Sequence, residues 1–336
     1  MQINLAVDIM SGDLGPRTNI AGALLALVYD PNLCLHLVGD KELLNTLLLQ
    51  HHLSSEFAER IQVHPALSTV SMDADPAQAV RKLTQSSMHL AVKLVASGQC
   101  QGVVSSGNTG ALMLVSRRYL GMLPGIDRPA ICTSLPTRQG FSYLLDLGAN
   151  TSCTPEHLLQ FALMGSVMVR QLEVCAQPRV ALLNIGHEAT KGTDLVKQAA
   201  HLLSQHPDIN YQGYIEADKI FAGQVDLVVC DGFTGNIALK AGEGTVRYVF
   251  EQLNRLLQSS WYGRCLGWLA RPLLRNFKQQ MDPVGYNGGS FLGLQGCVIK
   301  SHGNVDAQGF ATAILRAGTE VRQGLAQQLQ LAFTSK

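Results

Sequence analysis

Hydrophobic residues along this chain fall into two alternating patterns. Short, almost continuously apolar runs at Ile3–Ile9 (INLAVDI), Leu33–Gly39 (LCLHLVG) and Arg179–Ile185 (RVALLNI) have the length and composition of buried strands. Further runs at Gly102–Ser105, Pro129–Leu135, Phe141–Leu147 and Val225–Cys230 predict more of them. Between the runs, apolar positions recur at helical intervals. Helices are predicted over Asn19–Asp30, Glu156–Leu172, Lys191–Gln205, Gly235–Gln258 and Ala307–Leu331. After ADPAQAV, the spacing of Val80, Leu83, Leu90, Leu94 and Val95 predicts one amphipathic helix, with Pro76 in its first turn and Asp75 as its cap. Strands apolar on both faces and separated by helices imply an α/β fold with a mostly parallel sheet. No repeat or low-complexity linker divides the chain. One large domain over residues 1–336 is therefore expected, with Ser259–Gly296 as its least regular part.

Composition narrows the function classes. The 336 residues are 46% apolar and 15% charged, which marks a folded chain rather than a disordered one. A formal net charge of +1 lacks the basic excess of a general nucleic-acid binder, so no nucleic-acid partner is expected. The eight cysteines show no C-x-x-C spacing, and several lie in apolar runs, as expected of reduced thiols in a cytoplasmic protein. The first residues read as a strand and not as a signal peptide. No apolar run is long enough to span a bilayer.

The chemistry gathers where strands end. Six ends carry Gly together with Asn, Asp, Ser, Thr, Lys or His: DIMSGDLGP, SGNTG, GANTS, GHEATKGTD, DGFTGN and KSHGN. Ligands of open α/β sheets bind beyond the carboxyl ends of strands, so six such ends would converge on one edge. Glycine lets the backbone approach a ligand, and free N–H groups at a helix start attract anions. The stretch SSGNTGALM, with Ser106, Gly107, Asn108, Thr109 and Gly110, is the leading candidate for an anion cradle. An ordinary turn with an N-cap is the competing reading of any one such end. Neither a Walker A loop nor a G-x-G-x-x-G fingerprint is present.

Lys191 is expected at a helix start, where a cation opposes the dipole unless it meets an anion. Asp231 suits either a functional carboxylate or a cap. His302 suits either a proton donor or a structural role. Asp8 and Asp13 lack further carboxylates for a metal, which favours loop bracing. The remaining candidates for holding substrate are Gly12, Asn184, Gly186, Gly232, Asn236 and Gly303 at the same ends. From Gln252 to Met281 there is no acidic residue. This stretch holds Arg255, Trp261, Arg264, Trp268, Arg271, Arg275 and Lys278, so a basic aromatic helical excursion is expected at about 252–282. It suits a membrane surface or an acidic protein partner. Packing as a helical hairpin on its own domain or on a second subunit is the alternative.

The blocks DIMSGDLGP, DADPAQAVRKLTQSSMHLAVKLV, SSGNTGALM, LDLGAN, FALMGSVM, ALLNIGHEATKGTDLVKQA, VDLVVCDGFTGNIALK and LGLQGCVIKSHG, in this order, closely resemble the bacterial phosphate acyltransferases of phospholipid synthesis. The resemblance covers nearly the whole chain. The family usually has Gly at Ser11, Ala at Ser106, an acidic residue near Ser152 and Glu at His187. The last two departures put detailed acid–base roles in doubt. The resemblance implies a three-layer α/β/α fold of the isopropylmalate dehydrogenase and phosphotransacetylase type, assembled as a homodimer. It implies transfer of a fatty acyl group from acyl carrier protein to inorganic phosphate, giving acyl phosphate. The resemblance also implies a cytoplasmic protein in peripheral contact with the inner face of the membrane, where a glycerol-3-phosphate acyltransferase uses the acyl phosphate. Separately, the residues name no cofactor and no metal.

Without a Ser-His-Asp or Cys-His signature, direct attack by phosphate is the expected chemistry. Ser106–Gly110 and Lys191 would cradle phosphate. Asn184, Asp231 and Asn236 would position the reactants, and His302 or a backbone N–H would polarise the carbonyl. The alternatives are a nicotinamide- and metal-dependent dehydrogenase of the same broad fold, a coenzyme A donor, and a non-catalytic scaffold for lipid-synthesis partners.

Overall fold

A computed structural model describes residues 2–173, 175–274, 277 and 287–334. Eleven strands form one sheet: β1 (Ile3–Asp8), β2 (Leu33–Gly39), β3 (Ile61–Pro65), β4 (Gly102–Ser105), β5 (Ala130–Thr137), β6 (Gly140–Leu145), β7 (Arg179–Leu183), β8 (Asn210–Ile215), β9 (Leu227–Val229), β10 (Gly289–Leu292) and β11 (Cys297–Lys300). Their order is β3-β2-β1-β4-β11-β10-β5-β6-β9-β7-β8. Helices cover both faces, which gives the three-layer α/β/α arrangement. Under one face lies a core that includes Val103, Leu112, Leu144 and Val228. The other face carries two cores, one around Phe161 and Leu182 and one around Leu5, Leu35 and Phe310. The uninterrupted burial of β2 explains why this strand shows no alternation of polar and apolar residues.

Most ladders are parallel, but β10 is antiparallel to both β11 and β5, and β5 is antiparallel to β6. The hairpin block reverses the strand direction across the sheet. Strands β1, β4 and β11 therefore end on one edge, while β6, β9 and β7 end on the opposite edge. This corrects the expectation that six polar strand ends converge on one edge. DIMSGDLGP, SGNTG and KSHGN form one group, and GANTS, DGFTGN and GHEATKGTD form the other.

Asp75 accepts the Gln78 N–H at 2.8 Å, and Pro76 opens its helix, as the sequence indicates. The amphipathic stretch that follows is two helices, Pro76–Lys82 and Ser87–Ala96. The break comes from outside: Gln85 O accepts the Leu67 N–H, and Ser68 O accepts the Ser87 N–H, pinning the turn to a neighbouring segment. The last predicted helix is likewise two, Ala307–Arg322 and Leu325–Thr334, with Gly324 at φ +64° between them. The helix expected from Lys191 begins at Asp194, because Thr193 is its cap. Lys191 lies in the preceding turn, not at the helix start. The helix expected from Gly235 begins at Gly232 and runs to Gln258.

Candidate functional site

Asp8, Ser105 and Lys300 occupy one register row across β1, β4 and β11, so their side chains share one face of the sheet. Two hydroxyls donate to Asp8 Oδ2, from Ser11 at 2.5 Å and Ser105 at 2.7 Å. Burial pushes the Asp8 carboxyl up, and these hydrogen bonds oppose that rise. The three loops beyond the row are tied together. The Asp13 N–H donates to Gly303 O at 2.8 Å, the Ser301 N–H to Ser105 O at 2.9 Å, and the Ser106 hydroxyl to Ser11 O at 2.8 Å. Gly12 has φ +93°, and a Cβ there would lie 2.5 Å from Ser106 Oγ, so the tie requires glycine.

The turn SSGNTG is an N-cap as well as a candidate cradle. Asn108 Oδ1 caps the helix Thr109–Leu120 by accepting the Ala111 N–H at 3.0 Å. Its Nδ2 donates to Met72 O at 2.7 Å and to Ala74 O at 3.1 Å. Asn108 therefore braces the turn with its whole side chain. The first-turn N–H groups of Thr109 and Gly110 have no intrahelical acceptor, as at any helix start.

Lys300 is the group that reading the sequence missed. It ends the apolar strand CVIK, and its ammonium donates to the carbonyls of Ser301 and Ser106. Burial pushes its pKa from 10.5 down to about 8, against the charges of Asp13 and Asp8. A lone charge closing a fully apolar run was the available signal. His302 follows one residue later. Its Nε2 lies 3.5 Å from Glu243 Oε1, and its backbone N–H donates to Asn287 Oδ1 at 3.0 Å. Loss of solvation lowers the His302 pKa, and Lys300 and Lys240 nearby add to this, while Glu243 raises it.

These groups open into a cleft of about 990 Å³ between the centre of the sheet and the long helix Gly232–Gln258. The helix is anchored at its start. Asp231 accepts the Thr234 N–H at 2.9 Å and the Thr234 hydroxyl at 2.7 Å. A Cβ on Gly235 would sit 1.9 Å from Asp146 O, so this turn lies directly on the end of β6. From that anchor the helix presents two rows to the cleft. Asn236, Lys240 and Glu243 form a polar row, and Leu239, Gly242 and Val246 form an apolar or small one. Asp13, Thr109, Lys300 and His302 add to the polar part of the lining, with Arg138, Asn287 and Asn304, while Leu135, Pro136, Phe141 and Phe221 line it with apolar surface. Beside it, Cys132 is buried and its thiol is pushed up to about 12, which leaves no thiolate there at neutral pH.

Of the residues singled out in the sequence, Asp13, Thr109, Asn236, His302 and Gly303 line this cleft. Asp8, Gly12, Ser106, Gly107, Asn108 and Gly110 pack in and behind its loops. Asp231 caps the long helix, and Gly232 packs on Asn150. Asn184 donates to Gly186 O at 3.2 Å and to Lys191 O at 3.3 Å, bracing the loop beyond β7. Lys191 is exposed on that loop and is not among the cleft residues. His187 in the same loop pairs with Glu216 at 3.2 Å.

The basic aromatic segment continues from the far half of the long helix into the helix Trp261–Leu269. Leu257 packs against Gly267 across this hairpin. Trp261, Leu266, Trp268 and Leu273 are exposed, with Trp268 at 72%. Arg255, Arg264 and Arg271 are exposed beside them. Arg275 and Lys278 lie outside the described residues. Among the described residues, no helix is long and apolar enough to cross a membrane.

Comparison with known proteins agrees with this architecture. The phosphotransacetylase of Streptococcus pyogenes superposes with a TM-score of 0.65 at 16% identity, covering 96% of this chain and 94% of that one. A 4-hydroxythreonine-4-phosphate dehydrogenase from Klebsiella pneumoniae superposes at 0.50 with 15% identity, covering 97% and 99%. Both likenesses concern the fold. In sequence, a phosphate acyltransferase of Alkalilimnicola ehrlichii is 47% identical over 333 residues, 99% of this chain and 96% of its own length. The family model described as fatty acid synthesis protein matches residues 3–328. With nearly its whole length matched, the chain belongs to this fatty acid synthesis family, the family of the bacterial phosphate acyltransferases.

Proposed function

We propose that this protein transfers a fatty acyl group from acyl carrier protein to inorganic phosphate, releasing acyl phosphate for phospholipid synthesis. The observation that carries this reading is the union of two environments in one cleft. A buried ammonium, that of Lys300, lies at one side with helix-start N–H groups beside it, and an apolar wall lines the other. An anion and an acyl chain need such neighbouring environments.

In this reading, hydrogen phosphate is held by Lys300 and the first-turn N–H groups of Thr109 and Gly110. One of its oxygens attacks the thioester carbonyl, forming the C–O bond of acyl phosphate as the C–S bond breaks. The phosphate proton ends on the departing thiolate. His302, whose pKa is lowered, is neutral at pH 7 and carries that proton with Glu243 as its partner. Lys240 and Asn236 orient the carbonyl from the helix. The loop residues Asp8, Gly12, Ser106, Gly107 and Asn108 hold the cradle in shape. Lys191, Asn184 and Gly186 brace the loop beyond β7 and take no part in this cleft, while Asp231 and Gly232 start the helix that carries Asn236.

The exposed Trp and Leu side chains between Arg255 and Arg271 fit a membrane surface. The protein then acts as a homodimer in peripheral contact with the inner face of the cell membrane, passing acyl phosphate to a glycerol-3-phosphate acyltransferase. Incubation with acyl carrier protein thioester and labelled phosphate tests the reaction, with acyl phosphate as the expected product. Equal turnover with acyl-coenzyme A would remove the carrier-protein part of the reading, and no acyl phosphate from either donor would overturn it.

A further inference from the structure

The apolar row of the long helix has a feature that the transfer chemistry leaves unused. Gly242 lies between Leu239 and Val246 on the cleft side, and a Cβ placed on it would come 3.3 Å from Cζ of Phe221. Phe221 sits in the 3₁₀ helix Ala217–Ala222, whose carbonyl at position 221 accepts the Arg138 N–H at 3.1 Å. The ring is thus carried by an element fixed to the β5–β6 turn and leans on the one position of the row that has no side chain. Glycine in a helix interior costs about 0.5–1 kcal/mol relative to alanine, so bare backbone here has to be explained by what lies over it. Nearby Gly244 meets nothing within 4 Å, so it offers the same helical penalty without the contact.

We infer that Phe221 and Gly242 together gauge the acyl chain, setting how much of it the apolar side of the cleft accepts. The inference rests on the acyl-transfer reading above and names the substrate dimension this site selects. A chain whose carbonyl lies at Lys240 and Lys300 runs along the helix row Leu239, Gly242 and Val246, with the Phe221 ring as its side wall. Filling Gly242 drives the ring or the chain aside. Removing the ring widens the lane.

The test is the ratio of kcat/KM for sixteen-carbon and eight-carbon acyl carrier protein thioesters, followed as acyl phosphate formed. Each methylene seated or expelled is worth about fourfold. Gly242→Leu is expected to lower the ratio at least tenfold. Phe221→Ala is expected to raise it, and Gly244→Ala, with the same helical gain, is expected to leave it unchanged. Ratios within twofold of the parent in both Gly242→Leu and Phe221→Ala overturn the gauge while acyl phosphate is still made. Absence of acyl phosphate from the unmodified protein instead overturns the transfer reading itself.

Discussion

Replacing Lys300 by methionine separates what this side chain does for stability from what it does for function. Methionine keeps the reach of the side chain and removes the charge. The Lys300 pKa is 10.5 when unfolded and about 8 in the fold, so between these values the unfolded chain binds more protons. Stability therefore rises with pH across that window, and below pH 8 the full deficit is present. The shift corresponds to about 3 kcal/mol at pH 7. Methionine abolishes this deficit but orphans the carbonyls of Ser106 and Ser301, which returns about 1–2 kcal/mol. The variant is expected to be about 1–2 kcal/mol more stable than the parent at pH 7. That advantage should shrink by about 2 kcal/mol by pH 10, where the folded lysine is neutral and the unfolded one has begun to lose its proton. Urea unfolding of both proteins at the two pH values measures the difference. In parallel, kcat/KM for phosphate should fall at least a hundredfold, as expected for a lost charged contact. A variant less stable at pH 7, with no change in the difference at pH 10, would refute the buried-charge argument. Unchanged phosphate dependence would refute its role in the cradle.

In the parent protein, kcat/KM for phosphate should decline as pH rises through about 8, because the free enzyme loses the Lys300 proton there. Asp8→Asn should move that decline to lower pH, since Asp8 is one of the two charges that hold the Lys300 pKa up. Lys191→Ala should raise the KM for phosphate less than Lys300→Met does, a comparison that steady-state kinetics makes directly. Gly235→Ala should destabilise the protein by about 2–3 kcal/mol by overpacking on Asp146, read as a lower urea midpoint.

The sheet, its helices and the polar strand ends were legible because burial on both faces writes itself into runs such as LCLHLVG. The short strand β10 was not, since four residues at Gly289–Leu292 carry too little pattern to give a direction, and the end of β11 was read without its neighbours in the sheet. Missing that direction led to one converging edge where there are two. The same gap hid Lys300, whose partners Ser106 and Asp8 are almost two hundred residues or more away in the chain. Asn108 was found and its cap was legible, because a cap is local and has a sequence signature, whereas its bracing of Met72 and Ala74, more than thirty residues away, was not. Lys240 and Glu243 were invisible for another reason. They read as the polar side of an amphipathic helix, and only the fold turns that side toward a cleft.

The place of β11 in the sheet has a consequence for the order in which the molecule is made. Cys297–Lys300 lies between β4 and β10 and adds its residues beside Gly102–Ser105. A chain emerging from the ribosome presents the loops at Gly12 and Gly107 long before this strand arrives. Until then the β4 edge stays open, and neither Lys300 nor His302 has been synthesised. The proposed anion cradle is therefore assembled by one of the last segments translated, so a nascent chain that stalls before position 297 has the loops of that site but not the lysine the proposal places in it.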